Sequence, residues 1–313
     1  MKRMTQAQPV SIPNTRKIDF VSGVNGHQYS ISVALPLLPA PERGYRVLYV
    51  LDAHAYFASA MEAVRANVHD VVVVGIGYPS DPAFIKKAIE PLGALPGLTE
   101  LTSMSYAFGL KRMYDLSLPV SAEILATQQI PGFNLTPDRV GGLDDFLATI
   151  ETEVKPRVAE MVSIDRTNQA IFGHSLGGLA VLHALFVQPN AFRTFIAASP
   201  SIWWSEKAVL ANEENFSAAV SAGTASPRVL VTMGSEEETP TPVPAALAMA
   251  QAELDARVLS NRMVGNAREL TARLQALRGS NGYQVEDYAV FAKQGHGLAA
   301  WPALGRAIDF AFS

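Results

Sequence analysis

Five short apolar runs rich in β-branched residues limit the fold of this chain more than any other feature of its sequence. Each run is apolar at successive positions, which is typical of strands buried on both faces of a parallel sheet. They cover residues 47–51, 71–76, 169–172, 194–197 and 229–232. Helix-period segments lie between and after them, at residues 57–67, 143–161, 176–187, 254–277 and 298–312. This alternation predicts an α/β fold with a mostly parallel, doubly wound sheet.

The N-terminal part predicts an antiparallel hairpin added to that sheet. Residues 17–22 and 28–35 alternate in polarity, and Asn25-Gly26 between them is a dipeptide that tolerates positive φ. A further alternating strand is predicted at residues 283–291. Residues 79–129, which are irregular and rich in Pro and Gly, are interpreted as excursion loops over the carboxyl edge of the sheet, where ligands bind in such folds. Residues 239–268 are interpreted as a lid or a spacer.

Length and composition suit one large core. The chain has 313 residues, of which 49% are hydrophobic and 17% charged, and α/β domains of this size commonly form one unit. We therefore expect a flexible segment at residues 1–15 and a single domain over residues 16–313. The net charge of −4 and the scattered Lys and Arg residues argue against a nucleic-acid partner.

Targeting and cofactor signals are weak. No apolar stretch approaches the ~20 residues of a membrane span, so we expect no membrane partner and a cytoplasmic location, or a periplasmic one if a signal peptide has been removed. The chain has no cysteine and its six histidines have no metal-ligand spacing. We therefore expect no metal site, and a hydroxyl group as the reactive nucleophile. The sequence gives no indication of oligomeric state.

The strongest motif is Gly-His-Ser-Leu-Gly-Gly at residues 173–178. It follows a predicted strand and opens a predicted helix, which is the setting of the nucleophile elbow, G-x-S-x-G. Ser175 is the predicted nucleophile, and the glycines at 173 and 177 are expected where a Cβ would collide with the neighbouring chain. With the predicted sheet, this motif favours the α/β-hydrolase fold.

The partners of Ser175 should follow in the order acid, then histidine. His296, between two glycines and after the last predicted strand, is the predicted general base. The acid should follow the strand that ends near residue 233, where the sequence has three consecutive glutamates. Glu237, three residues after the glycine that ends the strand, is preferred, with Glu236 and Glu238 as alternatives. A carboxylate is needed there to hold the imidazole in one tautomer.

The oxyanion hole needs two backbone N–H groups. One is expected from Leu176, the residue after the nucleophile, and the other from the loop after the third strand. Ala53 is the preferred donor in that loop. Its neighbour Asp52 is interpreted as a residue that fixes the loop and not as the catalytic acid.

Several segments together resemble one family across nearly the whole chain. They are residues 47–52, 114–117, 141–147, 173–178 and the Ala-Ser-Pro-Ser-Ile-Trp-Trp stretch at 198–204. They are similar to the putative esterase (esterase D-like) family, and more narrowly to its enterochelin and salmochelin esterase branch. The resemblance implies Ser, carboxylate and His machinery without metal or cofactor. Ala53 departs from the family pattern, which usually has glycine after the aspartate.

The resemblance and the motif spacing together predict a serine esterase that forms an acyl-enzyme, acting on catecholate trilactones of the siderophore type or on small aryl or acyl esters. Trp203, Trp204, Arg112 and His174 are the predicted substrate-binding residues, with packing as the alternative for the tryptophans and hydrogen bonding to the elbow as the alternative for His174. Lys111 and Arg112 are the only cations close to Tyr114 in the sequence. Because a ferric catecholate complex is strongly anionic, an iron-free lactone is the preferred substrate. An acyltransferase on the same residues and a non-catalytic ligand-binding protein of this fold remain open.

Overall fold

A nine-stranded sheet organises the chain. The computed structural model describes residues 11–93, 99–130, 133–242, 250–280 and 282–313. Eight strands follow in the order β1-β2-β4-β3-β5-β6-β7-β8, and β9 also pairs with β7. The strands are β1 (Thr15–Val21), β2 (Gln28–Ala34), β3 (Tyr45–Leu51), β4 (Val71–Gly77), β5 (Ile164–His174), β6 (Thr194–Ala198), β7 (Arg228–Gly234), β8 (Gln284–Val285) and β9 (Ala289–Phe291). This architecture confirms the predicted α/β fold, with its mostly parallel sheet and N-terminal antiparallel hairpin.

The sheet is parallel from β3 onward and antiparallel at its N-terminal side. β1 pairs with β2, and β2 with β4, in antiparallel register, as the alternating pattern predicts. Gly26 in the connecting turn has φ of 72°, which glycine adopts without strain. Strands β3, β4, β6 and β7 are buried over nearly their whole length. Their Val, Leu and Ile side chains each contribute about 1.5–3 kcal/mol by leaving water.

Helices cover both faces of the sheet. Helices α1 (Ala53–Asn67) and α12 (Ala300–Phe312) pack against one face. The opposite face carries most of the others, including α7 (Leu176–Val187), which is apolar except for His183. The remaining helices are α2 (Pro82–Ile89), α3 (Glu100–Asp115), α4 (Ala122–Thr127), α5 (Leu143–Thr149), α6 (Lys155–Met161), α8 (Trp204–Lys207), α9 (Glu213–Ser221), α10 (Gln251–Asn261) and α11 (Met263–Ala276). None of the described helices is long and apolar enough to cross a membrane.

The segment interpreted as excursion loops is largely helical. It contains α2, α3 and α4, and each begins at a side chain that caps its first turn. Asp81 accepts the N–H of Phe84, and Thr99 forms a reciprocal capping box with Thr102. Such caps satisfy N–H groups that have no partner inside the helix. The interpretation as loops is therefore wrong for most of residues 79–129, while residues 94–98 lie outside the described part.

Two other predicted elements are interrupted. The helix predicted at residues 254–277 breaks at Arg262, which is left-handed with φ of 43°. The buried Asn266 side chain stabilises this break by donating to the carbonyl of Asn261 at 3.0 Å. The strand predicted at 283–291 leaves the ladder between β8 and β9. Of the segment interpreted as a lid or spacer, residues 243–249 lie outside the described residues, as do residues 1–10 of the predicted N-terminal segment.

Candidate active site

Ser175 stands at a strained turn between β5 and α7. Its φ and ψ are 62° and −118°, a conformation that non-glycine residues rarely adopt and that often marks functional sites. The turn is held because the Ser175 N–H donates to the carbonyl of Ala198 at 3.0 Å. A Cβ at Gly173 would collide with the Gly177 carbonyl, and one at Gly178 would lie 2.7 Å from the Ala198 carbonyl. The glycines that close packing requires are thus 173 and 178.

Gly177 differs from the prediction. A Cβ there would meet only ordinary contacts, the nearest at 3.5 Å from the Asp52 carboxylate. The third glycine of the motif, and not the second, is the one pressed against the neighbouring strand.

The His296 imidazole bridges Ser175 and a buried carboxylate. Its Nε2 lies 2.9 Å from the Ser175 Oγ, and its Nδ1 lies 2.6 Å from the Glu237 Oε2. Because an ionised carboxylate only accepts, Nδ1 carries the proton and Nε2 is left to accept the serine hydroxyl. The imidazole is 44% exposed and the glutamate side chain is not exposed at all. The structure thus joins the predicted nucleophile, base and acid in one hydrogen-bonded chain.

Glu237 is the glutamate that faces inward. Its Oε1 accepts the hydroxyl of Ser199 at 2.5 Å and the N–H of Gly234 at 2.6 Å. Burial by itself raises the pKa of this carboxyl, but the hydrogen bonds and charge of His296, with those from Ser199 and Gly234, outweigh it and lower the pKa below its usual value. Glu237 therefore stays ionised in a site where it can orient the imidazole.

Glu236 and Glu238, the alternatives for the acid, bond groups other than His296. Glu236 is exposed and accepts from the Ser235 hydroxyl. Glu238 accepts the N–H of Gly265 at the start of α11. Neither hydrogen-bonds to His296 among the described contacts, so both serve local structure.

The two predicted oxyanion donors begin neighbouring helices. Leu176 is the first residue of α7 and Ala53 the first of α1, and N–H groups in a first turn have no acceptor within their helix. The parallel register that sets Val50 opposite Phe172 brings the ends of β3 and β5 side by side. Both N–H groups therefore lie at the positive ends of helices that begin at this edge of the sheet, as the predicted oxyanion hole requires.

The buried Asp52 and the half-buried Arg112 form an ion pair behind this loop. The guanidinium of Arg112, on α3, makes two bonds of 3.0 Å to the Asp52 carboxylate. Burial raises the pKa of Asp52, but Arg112 outweighs burial and the pKa is lowered. Asp52 is left-handed, with φ of 54°, and directly precedes Ala53. Arg112, predicted to bind substrate, is thus bonded to the loop that Asp52 was expected to fix.

His174 lies beneath the site and supports the loop that carries the base. Its Nε2 donates to the carbonyl of His296 at 2.9 Å, and the Tyr56 hydroxyl lies 3.0 Å from its Nδ1. Burial, followed by the nearby His296, lowers its pKa to about 3, so it is neutral at physiological pH. The side chain is 5% exposed. In this position it contacts the elbow and the His296 loop, which was the alternative to its predicted role in substrate binding.

The tryptophan pair divides into one core residue and one half-buried residue. Trp204 is 0% exposed and its indole N–H donates to the Leu118 carbonyl at 2.9 Å. It has no surface to offer a ligand, which corrects its predicted place in the substrate pocket. Trp203 is half-buried, with its ring centroid 5.9 Å from that of Trp204.

Three site residues were missed by the sequence analysis. Ser199 bonds Glu237, Ser201 places its Oγ 3.5 Å from that of Ser175, and Tyr56 bonds His174. The serines belong to the Ser-Pro-Ser-Ile stretch after β6, so their position at the carboxyl edge was a usable signal. Among the residues that the structure describes, no group of His, Asp and Glu side chains is arranged to hold a metal ion.

The sequence matches known proteins over most of its length. The family model described as Putative esterase matches residues 121–293, more than half of the chain. The ferri-bacillibactin esterase BesA of Bacillus subtilis is 31% identical over 96% of this chain and 90% of its own.

The chain belongs to the Putative esterase family.

A second relative, the siderophore enterobactin esterase of Emericella nidulans, is 30% identical over 93% of this chain and 91% of its own. The solved siderophore hydrolase EstA from Aspergillus nidulans superposes with a TM-score of 0.74 at 27% identity, covering 99% of this chain and 98% of EstA. The predicted family resemblance and the predicted class, a carboxylic ester hydrolase, are confirmed. The acyltransferase and the non-catalytic alternatives are not favoured.

Proposed function

We propose that this esterase cleaves its substrate through a Ser175–His296–Glu237 catalytic triad. The observation that carries the proposal is the continuous chain of hydrogen bonds, 2.9 Å and 2.6 Å long, that ends on a buried, ionised carboxylate. Proton transfer from serine to imidazole makes the hydroxyl nucleophilic, and the carboxylate stabilises the imidazolium that forms.

The reaction then follows acyl transfer in two halves. The Ser175 Oγ attacks the ester carbonyl carbon while the His296 Nε2 takes its proton. The N–H groups of Leu176 and Ala53 bind the oxyanion, and the imidazolium returns the proton to the departing alcohol oxygen as the C–O bond breaks. Water next attacks the acyl-enzyme with His296 again as base, which releases the acid and restores the serine.

The proposed substrate is a siderophore-type trilactone in its iron-free form. Relatives named as siderophore esterases support the ester class. A ferric catecholate complex is strongly anionic and would favour a cluster of free guanidinium groups. Arg112, the arginine predicted for that role, already pairs with the buried Asp52, which largely offsets its charge toward an anionic ligand.

Two experiments test the proposal. A fluorophosphonate probe should label the wild-type protein and not Ser175→Ala; labelling of both would remove Ser175 from the mechanism. Values of kcat/KM for enterobactin with and without iron, beside p-nitrophenyl butyrate, should favour the iron-free lactone over its ferric complex. A preference for the ferric complex would overturn the proposed form of the substrate, and no hydrolysis of any of the three esters would overturn the substrate class.

A further inference from the structure

A cavity lies at the same edge of the sheet as Ser175, toward the N-terminal strands β1 and β2. It has a volume of about 490 Å³ and is bounded by the β1–β2 turn, α2 and α3. This is within the ordinary range for small-molecule sites. Strands β4 and β3 separate β2 from β5, so with neighbouring strands ~4.8 Å apart the cavity stands roughly 14 Å from the strand that leads to Ser175. None of its lining residues belongs to the triad.

Two unpaired lysines line this cavity. Lys87 projects from α2 and Lys111 from α3. Among the described residues neither ammonium group has a hydrogen-bond or ion-pair partner. Burial lowers the pKa of Lys111, and the like charge of Lys87 lowers it further, although Asp115 acts in the opposite direction. Two ammonium groups that repel each other in a concave site are stabilised by an anion bound between them.

The other charged groups around the cavity do not cancel the positive charge of the two lysines. Arg139 lines it while donating to the backbone carbonyls of Asn134 and Pro91, and so keeps its full charge. Asp138 also lines it, but as an exposed side chain. Asp115 is completely buried, and its Oδ1 accepts the hydroxyl of Tyr29.

Aromatic and apolar groups supply the rest of the lining. Phe84 and Leu110 are buried, and they reach the cavity from α2 and α3. Tyr114 lies against the ring of His27, with the two centroids 5.0 Å apart. A flat ring placed against these groups would leave water, while a carboxylate on that ring would reach the lysines. Apolar lining with a few convergent charges is the usual composition of a ligand site.

Arg112, the neighbour of Lys111 on α3, is not part of this lining. Successive residues on a helix point about 100° apart, and Arg112 bonds Asp52 in the loop beside the triad. Helix α3 therefore presents Lys111 to the cavity and Arg112 to the active-site loop.

We propose that the cavity between the β1–β2 turn, α2 and α3 is a second binding site, distinct from the triad, for a small aromatic carboxylate. The carboxylate lies between Lys87 and Lys111, and the ring packs on Phe84 and Tyr114.

Salicylate titrated into the Ser175→Ala variant tests the site by isothermal calorimetry, with ester hydrolysis removed from the measurement. We expect saturable binding with one site per chain. Lys87→Met, made in the same background, should weaken it about 10- to 100-fold, because it removes a charged hydrogen-bond partner. Lys87 is exposed, so this variant should keep its fold, which its melting temperature checks.

Lys86→Met is the matched control, since Lys86 is an exposed lysine on the same helix that does not line the cavity. It should bind salicylate as tightly as the parent, and benzyl alcohol, which has the ring without the charge, should not bind. No saturable binding at millimolar salicylate would overturn the proposal, as would equal weakening by Lys86→Met. Loss of binding in wild-type protein labelled at Ser175 by a fluorophosphonate would place the ligand at the triad instead. The calorimetric outcomes in the Ser175→Ala background are independent of whether the proposed esterase reaction is correct, and only the labelling control requires a reactive Ser175.

Discussion

Replacing Glu237 with glutamine should reverse the tautomer of His296. The Gly234 N–H and the Ser199 hydroxyl both donate to one oxygen of Glu237, so the glutamine carbonyl must face them and its NH₂ must face the imidazole. The Nδ1 atom then accepts, the proton moves to Nε2, and Nε2 can no longer take the proton of Ser175. Turning the amide round would leave two buried donors without acceptors, at about 1–3 kcal/mol each.

The free-energy cost of turning the amide determines how far the activity falls. A penalty of roughly 2–6 kcal/mol lowers the population of the productive tautomer by about 30- to 10⁴-fold. The variant also loses the negative charge that stabilises the imidazolium during transfer. We therefore expect kcat to fall by ~10³- to 10⁴-fold for Glu237→Gln while the melting temperature changes little, because the side chain keeps its size.

Steady-state hydrolysis of p-nitrophenyl butyrate measures the loss, and the two neighbouring glutamates provide matched controls. Glu236→Gln and Glu238→Gln should stay near wild type, since their carboxylates bond Ser235 and Gly265 and not the imidazole. Retention of more than about a tenth of the activity by Glu237→Gln would refute the tautomer argument. A large loss in Glu236→Gln instead would show that the wrong carboxylate had been assigned.

Three further predictions concern the rest of the site. Ser175→Ala and His296→Ala should each remove several orders of magnitude of kcat and the double variant little more; additive losses in the same assay would contradict the pairing. Arg112→Met should lower the free energy of unfolding in urea by about 3–5 kcal/mol, because it leaves a buried carboxylate unpaired, and adding Asp52→Asn should restore part of it; no recovery would argue against the ion pair as the cause. Because the pKa of His174 is lowered from 6.5 to about 3, the unfolded state takes up its proton first and stability should fall as the pH drops below 6.5. In His174→Gln the decline between pH 6.5 and 4.5 should be shallower, and an unchanged slope in urea unfolding would count against the neutral buried imidazole.

Strand periodicity and the elbow motif were enough to predict most of the fold. Runs that are apolar on both faces can be buried only inside a sheet covered by helices, so the central strands could be predicted from the hydrophobic pattern alone. The helices of residues 79–129 were missed because their Pro and Gly content outweighed the capping signals at Asp81, Thr99 and Ser121. The break at Arg262 depends on a tertiary contact from Asn266, which no local pattern reveals.

In the candidate site too, residues set by local sequence were predicted, while contacts between distant segments were not. The position of Glu237 was predicted from its spacing after Gly234, because the acid of this fold commonly lies three residues after the glycine that ends the strand. Contacts between distant parts of the chain were not predicted, such as the Arg112–Asp52 pair and the bond between Tyr56 and His174. They join α3 to the β3–α1 loop, and α1 to the end of β5, so they depend on how helices are placed over the sheet.

The glycines on either side of His296 bear on how this enzyme could be engineered. An added Cβ at Gly295 or Gly297 would meet no described atom within 4 Å, and neither residue has positive φ. Alanine should therefore fit at both positions and stabilise the fold by about 0.4–1 kcal/mol each, by restricting the unfolded chain. We expect the same substitutions to restrict the movement of the loop that carries His296. Heat tolerance should therefore be gained in a loop where the added methyl groups meet no described neighbouring atom.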